Sequence, residues 1–169
     1  MRFLEVCREL GIETDLILSE AGREILRLEM GKKPEEVEKL ASRKYGENEL
    51  TSPLSSGSYE VDGMVIVPCS MKTLACVANG ISGNLITRAA DVMLKQGKPL
   101  VLVPRETPLS LIHLENMLKA KRAGAVVLPA CPAFYHGAKS LSDLVDFIVG
   151  KILDALGVKH RLYRRWGEG

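Results

Sequence analysis

Three short stretches of this chain share one grammar: an apolar run, a proline, then polar residues. They are Val65-Ile66-Val67-Pro68-Cys69-Ser70, Val101-Leu102-Val103-Pro104-Arg105-Glu106 and Val126-Val127-Leu128-Pro129-Ala130-Cys131. An unbroken apolar run of strand length suits a β-strand covered on both faces, as in a parallel sheet. Proline has no N–H to give to a ladder, so each proline is expected to mark the end of the sheet. The residues that follow then lie at the carboxyl ends of parallel strands, where open α/β sheets bind their ligands. The pattern predicts one crevice lined by Ser70, Lys72, Thr73, Arg105 and Glu106.

The intervening sequence supplies the helices that such strands need. Phe3 to Leu10 reads as a helix ended by Gly11, and 14–18 as a strand. Ser19 caps a helix running to Met30. Pro34 opens a short charged helix through Tyr45, and 46–62 reads as a loop rich in Ser, Gly, Asn and Pro. Strand 63–67, helix 72–79, a Gly-rich break at Gly80 and Gly83, and helix 85–95 follow. Strand 99–103, helix 109–122, strand 125–128 and a last helix over 141–156 complete the chain. Strands alternating with helices imply right-handed βαβ units. The expected class is α/β, a Rossmann-like (flavodoxin-like) three-layer sandwich around a parallel sheet, in one domain over 1–169.

Composition narrows the function classes. The 169 residues are 46% apolar and 26% charged, with a formal net charge of +2, so there is no basic excess of the kind that nucleic acid requires. The basic aromatic stretch Arg161 to Trp166 reads as a solvated or subunit-packed tail. Cys7, Cys69, Cys76 and Cys131 include no C-x-x-C pair and have no histidine at zinc-ligand spacing. They read as small buried hydrophobes in a reducing, cytoplasmic setting, with Cys69 also open to a nucleophilic role. No apolar run is long enough to span a bilayer.

Each candidate residue has a plain alternative. Ser70 and Thr73, at a strand-to-helix turn, suit an anion or a ring bearing carbonyls; Ser70 also suits a simple helix cap. Arg105 suits bidentate pairing with phosphate, or a surface salt bridge. Glu106 could handle a proton if burial raised its pKa, or it could cap a helix. His113 reads as structural. Tyr135 suits a phosphate hydrogen bond or aromatic packing, and Lys151 reads as a helix lysine whose partner is unknown. Gly80 to Asn84 is neither a dinucleotide fingerprint nor a Walker loop.

Taken in order, several segments resemble the UbiX-type flavin prenyltransferases. They are Pro68-Cys69-Ser70-Met71-Lys72-Thr73-Leu74-Ala75, Asn84-Leu85-Ile86 with Arg88 to Val92, and Pro99 through Pro108. Ile112 to Met117, Phe134-Tyr135-His136 and the closing Arg165-Trp166-Gly167-Glu168 continue the likeness over essentially the whole chain. The resemblance implies transfer of a dimethylallyl group from dimethylallyl phosphate to N5 and C6 of reduced FMN. The product, prenylated FMN, serves UbiD-type decarboxylases, and no metal takes part.

Carried over position by position, Ser19, Ser70, Met71, Lys72, Thr73 and Arg105 are implied to bind FMN. Tyr135 and Lys151, with Lys95, are implied to hold dimethylallyl phosphate, and Glu106 and Glu29 to serve the chemistry. A homododecamer with sites built between subunits is implied as well. The family's opening strand and its Gly-Ala-Ser-Gly loop match no residues here, so the first strand of the fold is expected to be missing from the chain. Two other readings stay open: an FMN-dependent oxidative decarboxylase of cysteine-type substrates, and a flavin-binding module without catalysis.

Overall fold

The computed structural model describes residues 1–167. Glu168, from the closing segment named above, lies outside the described residues. The centre of the molecule is β4 (Leu100–Pro104), each residue of which is buried. It lies between β3 (Met64–Cys69) and β5 (Val126–Val127), parallel to both.

Alternation along β4 explains its apolar run. Leu100 and Leu102 face a core shared with Leu74, Val77, Ala90, Met93 and Ala120. These come from α4 (Met71–Ala78), α5 (Leu85–Lys95) and α6 (Leu111–Arg122). Val101 and Val103 face the other way, against Ile152 of α7 (Leu141–Ala155) and Phe3 of α1 (Arg2–Glu9). Helices on both faces of a parallel sheet make the expected three-layer sandwich. Arg2 clamps α1 to α7, its Nε 2.7 Å from Asp146 Oδ1.

The remaining strands form a second parallel pair, β1 (Asp15–Leu18) with β2 (Arg43–Gly46). The strands fall into two separate sheets, and β1 and β3 each pair on one side only among the described residues. β2 corrects the expectation of a helix through Tyr45. α3 stops at Pro34–Glu38, and the chain turns into an edge strand. Its Arg43 Nε reaches Asp15 Oδ1 across the pair at 2.6 Å, and Glu38 meets both Lys44 (2.8 Å) and Arg23 (2.7 Å). Cross-strand charge pairing, not apolar alternation, marks this strand.

α2 (Glu20–Met30) is amphipathic yet buries none of its residues, leaving Ile25, Leu28 and Met30 exposed. Among the described residues no helix is long and apolar enough to cross a membrane.

Candidate functional site

The three strand–proline runs end side by side. Cys69 is in register with Pro104, and the Ala130 N–H donates to the Pro104 carbonyl at 2.9 Å. The Leu102–Val127 register carries on to set Pro129 level with Pro104, so Ser70, Arg105 and Ala130 are each one residue beyond a common row, on neighbouring runs about 4.8 Å apart. One expectation is corrected: the ladder does not stop at Pro68. The register shifts between Ile66 and Cys69, so the missing proline N–H falls at the irregularity and pairing resumes beyond it.

Ser70 caps α4, its Oγ accepting from the Thr73 N–H at 3.1 Å and donating to Thr73 Oγ1 at 3.0 Å. The cap satisfies one donor and leaves the Met71 and Lys72 N–H groups at the positive end of the helix. Capping and ligand binding are thus compatible at this turn. One strand over, Arg105 and Glu106 are exposed at the end of β4. The Glu106 carboxylate accepts from the Thr107 N–H at 3.1 Å. Arg105 makes no salt bridge among the described residues, so the plain alternative for it is not realised here.

Ser19 follows β1 and caps α2, accepting from the Gly22 N–H at 3.0 Å. Glu47, just past β2, binds that region to the rest. Its carboxylate accepts from the Glu20 N–H (2.9 Å) and from Asn84 Nδ2 (3.1 Å), and its carbonyl from the Leu85 N–H (2.7 Å). One loop residue thus joins the starts of α2 and α5.

Tyr135 and Lys151 meet in a cluster of rings beyond β5. Phe147, on α7 and 5% exposed, is its hub. Tyr135 meets it edge-on at 5.9 Å and His136 stacks on it at 4.9 Å. The Lys151 ammonium stands 5.6 Å from the Phe147 centroid and 5.5 Å from that of Tyr163. Trp166 adds an edge contact to Tyr135 at 5.3 Å. The two residues implied to hold a phosphate thus lean on one aromatic seat, which adjacency in the sequence does not disclose.

Glu29 and Lys95 are not brought to this set within the chain. Glu29 is at the far end of α2, ten residues and about 15 Å from Ser19. Lys95 ends α5, on the side where β4 begins. Cys69 is 2% exposed, and burial pushes its thiol up to about 12, which favours the reading of a small buried hydrophobe over a nucleophile. His113 caps its own helix, Nδ1 accepting from the Ser110 N–H at 3.3 Å, a structural task as expected.

Comparison with known proteins bears on this geometry. The family model described as Flavoprotein matches residues 2–153. The flavin prenyltransferase UbiX of Methanothermobacter thermautotrophicus is 48% identical over 165 residues, covering 98% of this chain and 86% of that protein. The crystal structure of AnUbiX in complex with FMN and dimethylallyl pyrophosphate superposes with a TM-score of 0.96 at 46% identity, over 98% and 88% of the two chains. A dodecameric FMN-dependent Ubix-like decarboxylase from Escherichia coli O157:H7 superposes with a TM-score of 0.94 at 43% identity, over 98% and 90%.

Proposed function

Because the chain belongs to the Flavoprotein family, and within it to the UbiX-type flavin prenyltransferases, we propose that it transfers a dimethylallyl group from dimethylallyl phosphate to reduced FMN. The observation that carries the reading is the common row of strand ends, which sets the Ser70 turn beside Arg105 and Glu106.

The donor set fits a flavin. Hydroxyls of Ser70 and Thr73, the Lys72 ammonium and the first N–H groups of α4 suit carbonyl oxygens and an anion, with Ser19 and Met71 completing the contact surface. Bound reduced FMN supplies electron-rich N5 and C6, which accept the allyl carbons. In the transfer, the allylic C–O bond breaks and its electron pair leaves on phosphate. Arg105, Tyr135 and Lys151 are the groups assigned to stabilise that charge, each able to donate a hydrogen bond to an oxyanion. Holding the two reactants together supplies much of the rate. Bonding at N5 releases the N5 proton; ring closure then adds a proton to the allylic double bond as C6 bonds to its far carbon, and removes the C6 proton, which Glu106 takes as general base.

Glu29 and Lys95 fit this scheme only from a neighbouring subunit. Glu29 ends a helix with no buried residue, and α6 carries exposed Leu111, Leu114 and Leu118 at helical spacing, 70%, 48% and 50% exposed. These faces support a homo-oligomer, a dodecamer by analogy with the Escherichia coli protein, whose sites are shared between copies. The product serves a UbiD-type decarboxylase in a reducing cytoplasm, which suits four unpaired cysteines.

Phosphate release tests the reading. Under anaerobic conditions the protein should liberate inorganic phosphate from dimethylallyl phosphate only when reduced FMN is present. Release without flavin, or none with it, contradicts the assignment. Carbon dioxide formed instead from a peptidyl cysteine and oxidised FMN would install the decarboxylase reading in its place.

A further inference from the structure

If Lys151 meets the substrate phosphate, as proposed above, what holds Lys151 matters. Residues 157–167 fold back along α7, and Tyr163 is the anchor of that segment. Its hydroxyl donates to Asp154 Oδ2 at 2.7 Å. Asp154 Oδ1 also accepts from Arg165 Nη2 at 2.7 Å and lies 3.1 Å from His160 Nε2. Burial works against the Asp154 charge, but the hydrogen bonds from Arg165 and Tyr163 outweigh it and hold the carboxyl below its ordinary range. Burial, then the bond to Asp154, pushes the Tyr163 phenol up, so at neutral pH it remains a donor.

A second observation points to the same contact. Gly150 sits within α7, where glycine is poorer than alanine. A Cβ there would stand 2.5 Å from Tyr163 Cε1 and 2.6 Å from His160 Cε1. The missing side chain lets both rings lie against the helix backbone. Lys151 is the next residue, and its ammonium stands over the Tyr163 ring thus seated. A free lysine samples many rotamers; here one ring below and Phe147 beside it narrow the choice.

We infer that Tyr163, latched to Asp154 across Gly150, is a positioning residue that seats the Lys151 ammonium for the phosphate of the allylic substrate. It acts through Lys151 and touches neither flavin nor the reacting carbons. The inference rests on the prenyltransferase reading.

The test compares the full-length protein with Tyr163→Phe, which keeps the ring and removes the latch, and with Asp154→Asn. The Lys151 ε-protons, held over two rings, should resonate upfield of an ordinary lysine in the parent. They should move toward the ordinary position in both variants. KM for dimethylallyl phosphate should rise about two- to five-fold, the size of one exposed cation–π contact, with kcat and FMN affinity little changed. Unmoved ε-protons overturn the latch, and moved protons with an unchanged KM overturn its role in positioning. An active parent whose variants match it sinks this inference alone. A parent that makes no product sinks the prenyltransferase reading, and this inference with it.

Discussion

Arg105 and Glu106 are adjacent, exposed, and assigned different work. The guanidinium is permanently charged and suits the departing phosphate; the carboxylate suits the proton. Glu106→Gln keeps the size and hydrogen-bonding reach of the side chain and removes its basicity. Flavin binding should be spared and turnover slowed by about a hundred-fold or more, as measured by single-turnover product formation. Unchanged turnover would take Glu106 out of its role. The cysteines offer a second check on the residue scale. Cys131 is exposed, whereas Cys69 and Cys7 are buried with thiols pushed up by burial. Brief alkylation of the native protein at neutral pH should label Cys131 and spare Cys69, read by peptide mapping; early labelling of Cys69 would contradict its burial. The strand-end residues were legible because proline punctuates apolar runs. The Tyr163–Asp154 contact was not, since it forms only when the tail folds back onto α7. Its one sequence signal is an isolated glycine inside a long apolar helix, a common mark of close packing.

Among the elements, helices with clear caps were read closely, as with Ser19 before α2 and Asn84 before α5. β2 escaped because Arg43-Lys44-Tyr45-Gly46 has no apolar face to announce a strand. Its pairing depends on Asp15, 28 residues earlier, which no local window contains. α7 carries the sharpest prediction at this scale. Gly150→Ala gains up to about 1 kcal/mol of helix propensity. It also drives a methyl group into the Tyr163 and His160 rings, and overpacking of that kind costs about 1–3 kcal/mol. The variant should therefore melt lower than the parent in a thermal or denaturant scan. A gain in stability would show that the tail does not lie against α7 as described.

At the scale of the whole molecule, the chain packs its core densely around β4 while leaving two apolar helix faces in solvent. Exposed leucines in a continuous stripe fit association better than a monomer's surface. Leu114→Glu with Leu118→Glu places charge in that stripe at positions the protomer core does not use. The native mass should fall to a smaller assembly while the circular dichroism of the protomer is kept. An unchanged mass would move the interface elsewhere. The parallel α/β class could be read from alternating strands and helices. The split into two sheets could not, because no residue pattern within the chain reports an unpaired ladder edge.

The central claim is that this row of strand ends builds a prenylated flavin. Its most direct measurement is the mass of the flavin recovered after anaerobic incubation of the protein with reduced FMN and dimethylallyl phosphate. The account predicts FMN heavier by one C5H8 unit, formed only with both substrates and the protein present. Recovery of unmodified FMN alone, from protein that binds it, would contradict the account.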